Sequence, residues 1–271
     1  MSSWFERRRH RKILETPFPA GWLATLRANM KHFGYLDADE QARLRELTQV
    51  FVAEKSFEGC GGLELDDEIR VTIAGQACLL LLGLEHELYR DVESILVYPS
   101  TFLPKRAVEP MFAAPSIVDS VMPLLGEAHG RGPVILTWDA AKRGGIHPEL
   151  GHNVIYHEFA HKLDMLDGSV DGTPPLETPE EYRRWVDVCT REYELLRSRA
   201  DRGESTLLDP YAGTNAGEFF AVATECFFDR PLRLEQEHPE LYAVLEAFYR
   251  QDPAERERRV GGGSASEDAQ R

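Results

Sequence analysis

One pentapeptide constrains this chain more than anything else in it: His157-Glu158-Phe159-Ala160-His161. Residues four apart on an α-helix share a face, so both imidazoles can reach one ion. Glu158, one residue past the first imidazole, can take a proton from a water held at that ion. The flanking sequence supplies the helix. Gly151 precedes the motif, Gly168 follows it, and Val154, Ile155, Phe159, Leu163 and Leu166 recur between them at helical spacing. The pattern predicts a mostly buried helix from near Gly151 to near Asp167-Gly168. Buried imidazoles and a buried carboxylate need partners, and a metal supplies them; the ligand types point to Zn2+. His152 would project about 140° from His157 on such a helix, so it is not counted as a ligand.

Two histidines leave a catalytic zinc one protein ligand short. Asp167 lies six residues after His161, at the spacing of an HExxHxxGxxH-type site, but Asp164 stands where that pattern needs a turn glycine. Glu218 is the other candidate. It opens a strongly apolar segment, Asn215 to Phe228, where the first turn of a helix favours an anion. Glu225 follows two turns later on the same face. Helix chemistry alone leaves Glu218 evenly balanced between a ligand and an ordinary helix-start carboxylate.

The run His157 to Gly168, the segment Tyr211 to Glu218, and Glu218-Phe219-Phe220-Ala221-Val222 leading to Phe227-Phe228 resemble the Mlc titration factor A family of bacterial zinc peptidases. Gly132-Pro133-Val134-Ile135-Leu136 and Val97-Tyr98-Pro99 share the likeness, which spans most of residues 18–250. The family is similar in its active-site domain to the catalytic domain of anthrax lethal factor, and Tyr211 keeps the seven-residue spacing to Glu218 found in both. The resemblance implies Glu218 as the third zinc ligand beside His157 and His161, Glu158 as general base, and Tyr211 as support for the tetrahedral oxyanion. It also implies aminopeptidase-like action on small peptides and binding of an Mlc-type repressor of glucose-uptake genes. Val222 departs from the pattern of short-gap zinc peptidases, which often carry an Asp there. Asp164, Asp167 and Glu225 are candidates to accept the outward imidazole N–H bonds. Each could instead cap a helix end or bind nearby backbone.

Three readings of function follow. The first is a zinc peptidase. The second is a regulatory repressor-binding protein whose zinc site has little peptidase role. The third is a structural zinc site, which the open fourth position argues against.

The order of elements sets the fold. Residues 18–56 read as two helices, the second capped by Asp37 with Glu40 three residues on. Phe57 to Gly62 reads as a break and 64–84 as helix. Strands are predicted at 94–98 and 134–138, with irregular chain at 100–131 and a Gly-rich loop at 142–151. Helices follow at 179–200, 215–229 and 237–250. The expectation is α+β: a mainly helical zincin-type metalloprotease fold with a small β-sheet next to the HExxH helix. A basic N-terminal segment (1–17), a single zinc-peptidase domain (18–255) and a disordered tail (256–271) complete it, the tail being most marked from the Gly/Ser-rich Gly261 onward. Strand 134–138 could pair with an extended peptide along its edge, or could be a plain core strand.

Charge narrows the partners. At a net charge of −15, no broad basic surface is available to neutralise phosphates, so nucleic acid is not expected. The short run Arg7 to Lys12 reads as a solvated terminus. The longest apolar run, Ala77 to Leu82, is too short to span a bilayer, so no membrane contact is expected. Four scattered cysteines without a CxxC, and no recognisable signal peptide, point to reduced thiols and a cytoplasmic protein.

Overall fold

Helix starts lie where the sequence sets them. Asp37 accepts from the Glu40 amide and the Glu40 side chain accepts from the Asp37 amide, each at 2.9 Å. Thr178 and Glu181 make the same reciprocal arrangement. Asn153 caps the HExxH helix by accepting from the amides of Ile155 and Tyr156. Each cap satisfies amides that the first turn would otherwise leave unpaired.

A computed structural model describes residues 4–85, 89–100 and 132–268. In chain order the elements are α1 (Trp4–Leu14), α2 (Ala20–Asn29), α3 (Ala38–Glu54), β1 (Ser56–Gly59), α4 (Asp67–Leu79), β2 (Ser94–Tyr98), β3 (Val134–Thr137) and α5 (Trp138–Ile146). Then come α6 (Val154–Asp164), α7 (Pro179–Asp201), α8 (Ala216–Asp229), α9 (Pro231–Glu237), α10 (Pro239–Tyr249) and α11 (Pro253–Asp268). The fold is α+β and mainly helical, as expected. The stretch 101–131, read as irregular from its prolines, lies outside the described residues.

The sheet is parallel, in the order β1-β2-β3. Phe57 pairs with Ile95, and Ile95 with Val134. Parallel neighbours need a crossover, and α4 provides it between β1 and β2. β1 falls on residues read as a glycine-containing break. It is four residues long, and Phe57 is its only large apolar residue, so no alternating pattern announces it. Among the described residues β3 ends the sheet. Lys162 on α6 donates to Gly132 O at 2.9 Å, just ahead of β3. The small sheet therefore lies beside the HExxH helix.

α5 corrects two expectations. It starts at Trp138, the last residue of the predicted strand, and runs through the first half of what reads as a Gly-rich loop. Its glycines serve close packing instead of a turn. A Cβ on Gly145 would sit 2.2 Å from Asn29 O and 2.8 Å from Gln76 Nε2, and one on Gly144 would sit 3.1 Å from Asn153 Cγ.

The core is aromatic and centres on α4, α6 and α8. Phe159 packs on Tyr89 at 4.8 Å and on Phe51 at 5.8 Å between ring centroids. Tyr156 lies on the opposite flank, 5.4 Å from Phe228. Phe227 stacks on Tyr249, and Trp185 meets Phe220 edge-on.

Both chain ends are more ordered than their composition suggests. The basic α1 lies against α3, where Arg9 and His10 both reach Glu54. α11 covers most of the stretch read as a tail. Arg256 is buried there, donating to Glu40 Oε1 and Gln251 Oε1. A buried, doubly bonded guanidinium near the start of the helix is the anchor that a composition argument misses. All four cysteines are free, Cys78 and Cys226 buried, Cys60 and Cys189 half-buried. No helix among the described residues is long and apolar enough to cross a membrane.

Candidate metal centre

α6 delivers the HExxH face as predicted. It ends at Asp164, passes through a short 3-10 turn (Met165–Asp167), and stops at Gly168, whose φ of 96° is a left-handed conformation that glycine adopts without strain. His157 and His161 project from one side, with Nε2 atoms 3.2 Å apart and rings nearly perpendicular.

α8 brings the third group. Asn215 caps it by accepting from the Glu218 amide at 2.9 Å, which holds the turn that carries Glu218. Glu218 Oε2 lies 3.1 Å from His157 Nε2 and 3.6 Å from His161 Nε2. That oxygen is buried and, though both nitrogens are close, is left without a hydrogen bond. One ligand atom each from His157, His161 and Glu218 lies within 4.8 Å of the others, and among the described residues no other such group of three occurs. Two imidazole nitrogens and an orphaned carboxylate oxygen converging on one point fit a metal ion. Removing the cap tests how α8 holds Glu218. Asn215→Ala is expected to cost about 0.5–2 kcal/mol, read as a lower urea midpoint at unchanged slope.

Electrostatics agree with that convergence. Burial opposes protonation of His157, but the Glu218 and Glu225 carboxylates outweigh it and raise its pKa to about 10. Burial pushes Glu218 up, but the two imidazoles prevail and hold it well below the usual carboxylate range. Burial raises Glu158, assisted by the Glu218 charge and opposed by both imidazoles and Lys162.

The remaining sequence candidates fall differently. Tyr211 sits on a 3-10 turn (Pro210–Gly213) whose cap is Asp209, and its ring lies 6.3 Å from that of His157, half exposed over the site. Glu225 is buried and accepts from His157 Nδ1 at 2.8 Å. Asp164 is fully buried but does not bond an imidazole: its Oδ2 accepts from the Gly172 amide, and burial raises its pKa to about 6. Asp167 is exposed and accepts from the Ser169 amide and hydroxyl. It is not part of the converging group. His152 precedes the helix, 3.8 Å from Asp209, and is not one of the three converging residues. Sequence reasoning missed Asn153 and Gln76, which line the far side of His157 through Glu225. Asn153 carried a usable signal as a good capping residue ahead of the motif. Gln76 carried none.

Residues 4–250 match the glucose-regulated metallo-peptidase M90 family. An uncharacterized protein of Synechocystis is 37% identical over 246 residues, covering 90% of this chain and 89% of that protein. Mlc titration factor A of Serratia proteamaculans is 31% identical over 238 residues, 86% of this chain and 88% of that protein. Mlc titration factor A of Salmonella typhi is 32% identical over 226 residues, covering 82% and 83% respectively.

Proposed function

The chain belongs to the glucose-regulated metallo-peptidase M90 family, and from that premise we propose that it is a zinc-dependent peptidase of the HExxH-plus-Glu type, with aminopeptidase-like action on small peptides. The observation that carries this reading is the spacing of the three converging atoms: 3.2, 3.1 and 3.6 Å. Ligands about 2.0–2.1 Å from a tetrahedral zinc lie about 3.3–3.4 Å from one another. His157, His161 and Glu218 would hold the ion. Bound there, zinc would acidify a water and polarise the substrate carbonyl. Glu158 accepts a proton from the attacking water and returns it to the leaving amine. The Tyr211 phenol, over the site, donates to the developing oxyanion. Glu225 keeps the Nδ1 side of His157 engaged, so that Nε2 faces the ion. The test is metal analysis of the purified protein beside a screen of short peptide and aminoacyl substrates. About one zinc per chain with chelator-sensitive hydrolysis supports the reading, and a metal-free, inactive preparation that zinc does not restore overturns it.

The site sets a pH dependence. In the metal-free protein His157 titrates at about 10 instead of 6.5, and a ligand imidazole must give up that proton. Zinc affinity is therefore expected to rise about tenfold per pH unit between about pH 6.5 and 9, as followed by chelator competition. The metal-free fold shows the opposite trend. A raised His157 stabilises it fully below about pH 6.5 and progressively less as pH rises toward 10. A depressed Glu218 stabilises it above the ordinary carboxylate range and loses that contribution on acidification.

A second reading is supported by the relatives named Mlc titration factor A. It is a cytoplasmic regulator that binds an Mlc-type repressor, with the zinc site playing little peptidase role. The two readings separate by mutation. In a pull-down with the cognate repressor, wild type and Glu158→Gln should be captured equally, with hydrolysis lost only in the variant. Capture of neither removes the regulatory reading.

A further inference from the structure

The back of His157 is held by an unusually long buried chain of hydrogen bonds. Glu225 accepts from two donors at once: His157 Nδ1 on Oε1 at 2.8 Å and the Asn153 backbone amide on Oε2 at 2.7 Å. Asn153 is itself engaged through both side-chain polar atoms. Its Oδ1 caps α6 by accepting from Ile155 and Tyr156, and its Nδ2 donates to Gln76 Oε1 at 2.9 Å. Gln76, in the middle of α4, donates onward to Ala141 O on α5 at 3.0 Å and to Thr72 O at 3.3 Å. Asn153 and Gln76 are completely buried and Glu225 nearly so. The chain crosses four helices, and the glycine pair of α5 makes room for it, since side chains at Gly144 and Gly145 would press on Asn153 and Gln76.

Each polar side chain of this network is held by partners on a neighbouring element. Glu225 must accept twice, so its carboxylate plane is fixed by the position of Asn153, which is fixed by Gln76. A buried amide network of this kind is costly unless complete, and complete it locks rotamers. The other ligand imidazole has no such support: His161 Nδ1 is buried without a hydrogen-bond partner. The order imposed on the site from the core therefore enters through His157.

We propose that Gln76 and Asn153 are positioning residues that act through Glu225 to hold the His157 imidazole for the metal. Neither touches the metal or substrate. The proposal rests on the zinc reading above and adds that affinity for the ion is set partly on α4, one side chain beyond the usual outer partner of a ligand histidine.

The test measures zinc dissociation constants of the full chain by chelator competition, beside thermal unfolding of the metal-free protein. Glu225→Gln replaces one acceptor with an amide that points a donor at a donor, and should weaken zinc 10–100-fold. Gln76→Met keeps volume but removes the bond to Asn153, and should weaken zinc by about threefold or more. Gln76→Glu keeps the acceptor for Asn153 but loses the donations to Ala141 and Thr72 and sets a carboxyl oxygen against their carbonyls, so it should lower stability while zinc affinity stays within about twofold. Leu44→Ala, in the core of α3, calibrates what general destabilisation does to affinity. A second readout is the His157 Nδ1–H resonance of the zinc-loaded protein, which should move upfield or exchange faster in Glu225→Gln and Gln76→Met. The proposal is overturned if folded Gln76→Met binds zinc like wild type, or if Gln76→Glu or Leu44→Ala loses zinc in step with stability. If Gln76→Met does not fold, the Gln76→Glu result decides alone. Failure of wild type to bind zinc at all removes the underlying metal reading as well, an outcome distinct from equal binding by wild type and variants.

Discussion

Glu158→Gln is expected to lower peptide hydrolysis by about 10²–10⁴-fold while leaving metal content at the wild-type level. The geometry sets both halves of that expectation. Glu158 is one residue, about 100°, around the helix from His157, so its carboxylate flanks the converging atoms without joining them. Gln has the same shape and leaves the three ligand candidates undisturbed. It cannot accept a proton, so the water loses its base. Burial raises the Glu158 pKa while both imidazoles and Lys162 oppose it, a balance that holds a carboxylate closer to the range where proton transfer is efficient. The measurement is kcat and KM on a short peptide together with zinc analysis of the same samples. A fully loaded Gln variant that keeps wild-type kcat would remove Glu158 from the chemistry. A variant that loses its zinc would make Glu158 a ligand.

What the sequence made legible is what depends on residues near one another in the chain. The HExxH helix was readable because its apolar positions, bounding glycines and paired histidines all lie within about twenty residues. The Glu218 helix was readable for the same reason, from an apolar run opening on Asn215. What joins the two helices was not readable from periodicity, because the packing of α6 on α8 is a tertiary fact. Only the resemblance to a known family brought Glu218 to His157. The errors have the same origin. β1 exists because β2 offers it backbone partners, not because Ser56-Phe57-Glu58-Gly59 has strand character. α5 was read as a loop because glycine usually marks one, whereas Gly144 and Gly145 are in a helix that must approach Gln76 and Asn153 closely. At the far end of the chain Arg256 bonds to Glu40, 216 residues earlier, a contact that composition does not announce. Gln76 is the extreme case: a polar residue amid Ile73, Ala77 and Leu80 looks like an interruption until Asn153 is placed against it.

Glu218→Ala is expected to strip most metal from the purified protein, whereas Asp167→Ala is not. The contrast follows from where the two carboxylates sit. Glu218 Oε2 is buried, without a hydrogen bond, and within 3.6 Å of Nε2 of both His157 and His161. Asp167 is exposed on the turn after α6, and its oxygen is taken by the Ser169 amide and hydroxyl. Losing an outer partner of a ligand histidine costs about 10–100-fold in metal affinity, so losing a ligand itself should exceed that range. The metal-free fold is also affected, by a smaller amount. Metal-free wild type keeps His157, Glu218 and Glu225 in a charged cluster, and Glu218→Ala leaves His157 with Glu225 alone. His157 should then titrate lower than about 10, and the metal-free variant should lose part of the stability that wild type shows below pH 6.5. Zinc stoichiometry by elemental analysis and unfolding of chelator-treated protein at pH 6 and pH 9 read both effects. If Asp167→Ala alone empties the site while Glu218→Ala stays loaded, the ligand set is His157, His161 and Asp167, and the turn after α6 must rearrange on metal binding to bring Asp167 inward.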